Sequence, residues 1–193
     1  IGMHLPGRWN SRHANHLHHF TEGSGWLADA LPTGVAFDHL SMLGQLDGAL
    51  ALAGVDTQLR PHLWTRAGAT WSELAGLDVR DELYATASDD ASAWVAGSDG
   101  ALYQVDDGGL SPARTGDIGD VSALAVAPDG SAFAVTSSGC GDALCVSAAA
   151  HLLARADDGR WSPVAGFSSP SALLAVAARS AGDVFLASAS GQL

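Results

Sequence analysis

The chain has 193 residues, of which 47% are hydrophobic, so it is large enough to bury a core and form one domain. Nine basic residues stand against 21 acidic ones, giving a formal net charge of -12. This charge repels phosphate backbones and argues against nucleic acid as a partner. The longest apolar stretch, 49–55, is far shorter than the roughly twenty residues of a membrane helix, so we expect no membrane span.

The N-terminal region is distinguished by its histidines. Five of the eight histidines fall within the first nineteen residues. If 2–6 and 15–20 form a hairpin, His16 and His18 share one face by strand alternation and His4 lies opposite His18. Three imidazoles on one face could bind zinc or copper, which makes these three histidines the candidate metal ligands. Exposed histidines on a solvated hairpin that contacts a partner explain the same residues without a metal.

Further along, the chain repeats a pattern with a period of about forty residues. An apolar strand runs into an Asp or Gly turn, a second strand of small and apolar residues follows, and a later turn carries Gly and Trp. Residues 42–54 and 124–135 show the first half of this pattern. Small and large side chains alternate within it, so apolar residues occupy both faces of a strand. Such strands suit sheets that stack face to face around an axis.

Alignment of the repeats predicts the strands of each unit in chain order. First strands are predicted at 37–43, 83–87, 121–127 and 173–178. Second strands, each ending in a small residue, are predicted at 49–54, 93–97, 132–136 and 184–188. Third strands are predicted at 17–20, 63–66, 101–105 and 151–156. The turns that follow carry Trp26, Trp71, Leu110 and Trp161 at equivalent places, where a large side chain covers the outer edge of the unit.

Short strands at this period predict an all-β chain with the β-propeller fold. We expect about three complete four-stranded blades and partial blades at both ends. The predicted units are 1–32 (partial), 36–77, 80–116, 120–167 and 171–193 (partial). They form a single propeller domain or a fragment of one, and we favour a fragment because closure between the two partial blades fits poorly. A β-sandwich is the alternative fold.

The turns after the third strands resemble the Asp box of the bacterial neuraminidase repeat and of related photosystem-assembly-type propellers. Residues 106–109 and 157–161 carry the Asp and Gly of that turn. Residues 68–71 match its closing half, Gly-x-Thr-Trp, with Arg66 where the Asp is expected. The full motif, Ser-x-Asp-x-Gly-x-Thr-Trp, does not occur. The resemblance therefore concerns architecture.

In the resembled families the Asp box is a structural turn, in which the Asp caps a hairpin and the Trp packs. The resemblance implies this structural role for Asp157, Gly159, Trp26, Trp71 and Trp161. It implies a fold and no activity.

The two cysteines predict a local disulfide. Cys140 and Cys145 have four residues between them and fall where a hairpin turn is expected. A disulfide there would add only about 2 kcal/mol in the chain-entropy picture, but it would hold a long turn together. It would also place the protein in an oxidising compartment, namely the periplasm, the cell surface or the extracellular space. Reduced, buried thiols are the alternative.

Two acidic turns, 78–82 and 88–90, bring together the carboxylates that calcium prefers. The EF-hand order of residues is absent, and Asp and Ser gather in turns for backbone reasons alone. Calcium is therefore supported less well than zinc or copper at the histidines, and we expect no other cofactor.

The sequence gives little support to catalysis. A sialidase-like enzyme needs an arginine cluster, a Tyr–Glu pair and a mobile Asp. The tyrosines and glutamates, Tyr84, Tyr103, Glu22, Glu73 and Glu82, stand in no recognisable context. No nucleophile elbow and no phosphate-binding loop occurs. We expect a protein that is not an enzyme.

The sequence therefore predicts a non-catalytic, exported β-propeller module that binds a protein or glycan partner. Because the chain is acidic, the partner is expected to be neutral or basic. One alternative is a structural subunit of a larger assembly, with its partial blades completed by a neighbouring chain. Another is a glycosidase-like enzyme with catalytic residues outside this segment.

Overall fold

The computed structural model describes residues 16–78, 80–89, 92–106, 109–113, 119–137, 150–167, 169 and 171–189. These residues form sixteen β-strands and no α-helix. The first eight strands are β1 (Leu17–Thr21), β2 (Gly25–Asp29), β3 (Phe37–Leu46), β4 (Ala49–Asp56), β5 (Pro61–Ala67), β6 (Thr70–Glu73), β7 (Leu83–Ser88) and β8 (Ala93–Gly97). The others are β9 (Leu102–Asp106), β10 (Gly109–Pro112), β11 (Asp120–Val126), β12 (Ala132–Ser137), β13 (Ala150–Arg155), β14 (Trp161–Pro163), β15 (Leu173–Ser180) and β16 (Asp183–Ser188). The described part contains no helix with the length and apolar character that a membrane span requires.

Within each sheet, strands that follow one another in the sequence pair in antiparallel fashion, so each sheet is a meander. We number the sheets along the chain: sheet 1 (β1–β2), sheet 2 (β3–β6), sheet 3 (β7–β10), sheet 4 (β11–β14) and sheet 5 (β15–β16). Sheets 2 to 4 have four strands, and sheets 1 and 5 have two within the described residues. The predicted all-β class and its four-stranded units are confirmed, and the partial blades at both ends stay predictions. The exact limits of the five units stay predictions.

The sheets stand side by side and bury apolar side chains between their faces. The first strands lie next to one another, β3 beside β7, β7 beside β11 and β11 beside β15. One core cluster lies between sheets 2 and 3, the next between sheets 3 and 4, and the third between sheets 4 and 5. Trp94 and Leu153 belong to the second cluster, and Phe133 and Leu173 to the third. Burial of each such side chain stabilises the fold by about 1.5–3 kcal/mol, which explains why both strand faces are apolar.

The second strands end in small residues because they approach the first strands closely. A Cβ atom at Gly97 would lie 1.7 Å from the carbonyl oxygen of Glu82, and one at Gly54 would lie 2.7 Å from that of His39. Near these points β3 and β7 shift register, between Phe37 and His39 and between Leu83 and Ala85. Glycine at the end of β4 and β8 thus makes room for the irregular first strands.

Three hairpin turns share one pattern of hydrogen bonds: 56–60, 127–131 and 156–160. In each turn the first N–H donates to the fifth carbonyl, and the fourth N–H donates to the first carbonyl. The fourth residue has a positive φ, 62° at Leu59, 81° at Gly130 and 84° at Gly159. An aspartate side chain accepts the N–H of the fifth residue, and it belongs to Asp56, Asp129 and Asp158 respectively.

Candidate functional site

Hydrogen bonds connect the beginnings of the first strands of sheets 2 and 3, and they connect the turn between β8 and β9 to the beginning of the first strand of sheet 4. His39, near the start of β3, bonds to Glu82, which directly precedes β7. Asp120, the first residue of β11, accepts the N–H of Asp99 from the turn between β8 and β9. These residues therefore lie at one end of the first strands. We call the group the rim; its members are Asp38, His39, Glu82, Tyr84, Asp99 and Asp120.

His39 is held between two carboxylates of the rim. Its Nε2 lies 2.7 Å from Glu82 Oε1, and its Nδ1 lies 3.1 Å from Asp38 Oδ2. An imidazole ring donates from both nitrogens only in its protonated form. Burial works against that charged form, but the hydrogen bonds and charges of Glu82 and Asp38 outweigh it and raise the pKa of His39. In its protonated form the ring links the two acidic groups.

Tyr84 lies deeper and shares Glu82 with His39. Burial of the phenol, followed by the nearby charge of Glu82, raises the pKa of Tyr84 strongly. Its hydroxyl is therefore a hydrogen-bond donor at every physiological pH. The backbone of Glu82 is fixed as well, because its N–H donates to Ser98 Oγ at 3.0 Å and its carbonyl accepts the N–H of Ser98 at 2.8 Å.

The rim carries more negative than positive charge. Its members include four carboxylates and one imidazole, and the side chains of Asp38 and His39 are both exposed to solvent. Such an arrangement attracts a cation, and the exposed groups can form hydrogen bonds with it. Within the described ranges no three His, Cys, Asp or Glu side chains are placed to hold a metal ion.

A second polar cluster lies on the outer part of sheet 2. His62 stacks on Trp64 with ring centroids 4.9 Å apart, and its ring nitrogens face Glu73 at 2.6 Å and Asp56 at 3.2 Å. The N–H of Arg60 is the main cause of a strongly lowered pKa at Asp56, and His62 adds to it. A groove of about 420 Å³ passes over Arg60, His62 and Glu73. The polar groups of this cluster bond to one another and close the turn between β4 and β5.

The predicted metal residues are placed only in part. His16 and His18 lie close together, with ring centroids 6.0 Å apart. His4 lies outside the described residues, so the proposed zinc or copper site stays a prediction. Cys140 and Cys145 also lie outside them, and the disulfide and the compartment that it implies stay predictions.

In the acidic turns, carboxylates accept hydrogen bonds from the chain itself. Asp81 is buried and accepts the hydroxyl of Tyr103. Asp78 accepts the N–H of Arg80, and Asp89 accepts the N–H and the hydroxyl of Ser92. These bonds account for the aspartates as parts of turns, and calcium at these turns stays untested.

The three tryptophans of the fourth strands differ in environment. Trp71 donates its Nε1–H to the carbonyl of Ala30, and Trp161 packs edge-to-face on Trp94 at 5.4 Å. Both therefore reach the preceding sheet. Trp26 contacts Phe20 within sheet 1 and is largely exposed.

Sequence reasoning missed the rim. The sequence pattern assigns no role to His39 or Tyr84, and it points to Glu82 only as part of the acidic turn 78–82. One signal was available: His39 and Glu82 are 43 residues apart, about one repeat period, so they fall at equivalent places in adjacent units.

Comparison with known proteins extends the description of the fold. No protein-family model matches the chain, and no curated protein matches it. A solved structure named as a candidate gluconolactonase superposes with a TM-score of 0.56 at 13% identity, over 84% of this chain and 62% of that one. The streptogramin B lyase structure gives a TM-score of 0.48 at 12% identity, over 91% of this chain and 70% of that one.

The fold is a β-propeller. At this level of identity the likeness shows the fold alone. The chain spans less than two thirds of the length of the candidate gluconolactonase. No match supports the specific likeness to the neuraminidase Asp box, and the propeller architecture is what stands of that resemblance.

Proposed function

We propose that this chain is part of an exported, non-catalytic β-propeller that binds a protein or glycan partner through the rim. The observation that supports this proposal is the contact of His39 with Asp38 and Glu82 at the beginning of two neighbouring first strands, with Asp120 at the beginning of the next. A propeller holds such groups on a rigid frame, and its exposed ends are common binding surfaces. The negative rim and the net charge of -12 select a partner with positive charge.

Binding of two cationic probes tests this proposal. A labelled octalysine peptide stands for a basic protein segment, and a chitosan hexamer stands for a cationic glycan. We expect one of them to bind, with an affinity that falls about tenfold when salt rises from about 0.02 M to 0.5 M. For octalysine, whose amines stay charged, we also expect affinity to increase as the pH rises through the raised pKa of His39, because the ring then loses its positive charge.

A matched pair of variants separates the rim from the general charge of the protein. Asp38→Asn and Asp158→Asn each remove one charge from side chains of similar exposure, 59% and 62%. Asp38 belongs to the rim, whereas Asp158 lies in the turn between β13 and β14. Asp38→Asn should weaken probe binding about three- to tenfold, and Asp158→Asn should not. Equal effects of the two variants, or binding that strengthens with salt, would contradict the proposal.

An enzyme is the second candidate, and the network of His39, Glu82 and Tyr84 favours it. Groups with shifted pKa values that share hydrogen bonds are common in active sites. The candidate gluconolactonase has the same fold, so hydrolysis of glucono-1,5-lactone is the reaction to test first. Turnover by the wild type that is lost in Glu82→Gln would support this candidate over the binding module. Absence of turnover in the protein that binds the cationic probe would support the binding module.

An exposed apolar side chain favours a further role for this protein, as a subunit of a larger assembly. Trp94 and Phe133 lie in second strands and are buried between sheets, with 2% and 5% of their surface exposed. Phe185 lies in the second strand of sheet 5 and is 53% exposed. Another sheet packed on sheet 5 would bury it in the same way. A native mass equal to that of a single chain would contradict this role.

Export is supported by the spacing of the two cysteines alone. A disulfide between Cys140 and Cys145 would make both thiols unreactive. Titration with a thiol reagent under denaturing conditions without reductant should find no free thiol. Two free thiols would contradict the disulfide and remove the argument for an oxidising compartment.

A further inference from the structure

The same arginine–tryptophan pair occurs in sheet 2 and in sheet 4. Arg66 of β5 lies directly opposite Trp71 of β6, and Arg155 of β13 lies directly opposite Trp161 of β14. Each guanidinium also lies over an indole ring. The distance from Arg66 to the centroid of Trp71 is 5.7 Å, and that from Arg155 to the centroid of Trp94 is 5.1 Å. The two pairs therefore occupy equivalent places in their sheets.

In sheet 2 the pair holds a carboxylate and a carbonyl group. Arg66 Nη1 donates to the carboxylate of Asp29 at the end of β2. This hydrogen bond is the main cause of the lowered pKa of Asp29. The indole N–H of Trp71 donates to the carbonyl oxygen of Ala30 at 2.8 Å. The preceding sheet thus supplies acceptors to both members of the pair.

Among the described residues, sheet 3 supplies no corresponding acceptors to the pair in sheet 4. The indole N–H groups of Trp161 and Trp94 are buried and have no hydrogen-bond partner in the part of the chain that the structure describes, and Trp94 is 2% exposed. Arg155 makes no ion pair and no hydrogen bond with the described residues. The Nε atoms of both arginines are buried without a partner from the described ranges. The two pairs therefore differ at the terminal guanidinium nitrogens and at the indole N–H groups.

The reason for the difference lies in the preceding sheet. Trp26 lies near the start of β2, which is the fourth strand of its unit, and Asp29 follows three residues later. Three residues after Leu110, the equivalent of Trp26 in sheet 3, the chain carries Ala113. Alanine supplies no carboxylate, so the site around Arg155 has the donors of its counterpart, and no described residue takes the place of Asp29.

We propose that the site formed by Arg155, Trp161 and Trp94 binds the carboxylate of an external ligand. Arg155 supplies the charge and paired donors that match a carboxylate, and the two indole rings packed beside it respond to a change at its guanidinium. The hydrogen bond from Arg66 to Asp29 is an example, within this same molecule, of the contact proposed for Arg155. The carboxylate belongs either to an acidic side chain of a peptide or to an acidic sugar. This site is separate from the rim and does not depend on the function proposed for it.

Indole N–H resonances in proton–nitrogen NMR spectra report on this contact directly. The chain has six tryptophans, and Trp161→Phe identifies the relevant signal. Titration with sodium acetate, against sodium chloride at equal ionic strength, should shift the Trp161 indole signal in a saturable way. Arg155→Gln should abolish that shift. Arg179→Gln is the matched control, because Arg179 also lies over an aromatic ring but is already paired with Asp183.

A variant that fills the site keeps the test independent of folding defects. Ala113→Asp places a carboxylate where sheet 1 has Asp29, and it should weaken acetate binding at least tenfold without lowering the unfolding temperature. Conversely, Asp29→Ala should make the Trp71 signal respond to acetate. A wild-type signal that does not respond to acetate, or unchanged affinity in Ala113→Asp or Arg155→Gln, would overturn the proposal.

Two larger probes distinguish the source of the carboxylate. N-acetyl-aspartate N′-methylamide stands for an acidic peptide side chain, and glucuronate stands for an acidic sugar. The one that binds more tightly than acetate at the Trp161 signal identifies the ligand class. The amide N-acetyl-asparagine N′-methylamide should not shift the signal, and an equal response to it would show that the site does not require a carboxylate.

Discussion

Leu59 occupies a backbone position that glycine fills in two equivalent turns. Its φ is 62°, in the left-handed region, and its side chain is 72% exposed. The fourth position of the turn requires this conformation because its N–H must reach the carbonyl of the first residue. A leucine pays a steric cost there of roughly 1–2 kcal/mol, since its Cβ approaches the following carbonyl oxygen.

Replacing Leu59 by glycine should therefore stabilise the protein. The steric energy that is relieved exceeds the free-energy cost of the greater chain entropy that glycine gives the unfolded state. The free energy of unfolding should therefore increase by about 0.5–1 kcal/mol. Urea unfolding followed by tryptophan fluorescence measures the change. Gly130→Ala, at the equivalent position with a φ of 81°, should lower stability by about 1 kcal/mol. A Leu59→Gly protein less stable than the wild type would show that the turn is not strained.

Tyr103 and Asp81 form a buried hydrogen bond that fixes the start of sheet 3. The Tyr103 hydroxyl donates to the Asp81 carboxyl group and accepts the N–H of Asp78 at 3.2 Å. Both side chains are only 2% exposed. The bond therefore ties the loop before β7 to β9, and it holds the chain segment that leads to Glu82.

Tyr103→Phe should lower the free energy of unfolding by about 2 kcal/mol, because it removes a donor from a buried carboxyl group. Tyr84→Phe is the comparison, since its hydroxyl bonds to the more exposed Glu82 and its loss should cost less than about 1 kcal/mol. Denaturant unfolding of the two variants measures the difference. Equal losses would mean that the Tyr103 bond is no stronger than one at the rim.

At the scale of strands, local patterns predict most of the architecture. The second strand of sheet 3 is predicted at 93–97 and lies at Ala93–Gly97, because alternation and the flanking turns define it locally. The first strand of sheet 2 is predicted at 37–43 and extends to Leu46, because β3 continues to the turn at Asp47 and Gly48. Such extensions depend on cross-strand pairing, which a short sequence window does not record.

The rim is harder to predict from sequence, for a physical reason. The contact between His39 and Glu82 joins two units and lies beside register shifts in β3 and β7. A one-residue shift moves a side chain to the opposite face of a strand. Alternation counted from the sequence therefore assigns the wrong face beyond each shift, although the repeat period correctly aligns the two positions.

The small residue at the end of a second strand is the sequence feature that reflects these shifts. Gly97→Ala should lower stability by about 1–3 kcal/mol, because the added methyl group overlaps the carbonyl of Glu82 and must displace the backbone. It should also weaken binding at the rim by moving Glu82. Gly182→Ala is the control, since no atom lies within 4 Å of its added methyl group. Unfolding midpoints within experimental error of the control would show that β7 yields without cost.

At the scale of the whole molecule, aspartates connect neighbouring sheets. Asp29 of sheet 1 pairs with Arg66 of sheet 2, and Asp129 accepts the N–H of Ala181 from the turn of sheet 5. The guanidinium of Arg66 is the main cause of the lowered pKa of Asp29, and the N–H of Ala181 is the main cause of the lowered pKa of Asp129. His39 has the opposite effect, because its pKa is raised in the folded protein. Its contribution to stability is present at low pH and is lost as the pH rises through that raised pKa.

These shifts predict that acid separates the sheets at both ends first. The aspartates have pKa values below the ordinary 3.8, so the unfolded chain binds more protons than the folded chain in acid. Their contribution to stability is complete above about pH 5 and is lost progressively as the pH falls through their folded values. Urea unfolding at a series of pH values measures this loss.

Asp129→Asn keeps only one acceptor oxygen for two N–H groups, so this variant should be less stable at pH 7. Its stability should also depend less on pH between 5 and 3. Asp158→Asn, whose oxygen serves only its own turn, should follow the wild type. An unchanged pH dependence in Asp129→Asn would show that the link between sheets 4 and 5 does not depend on the charge of Asp129.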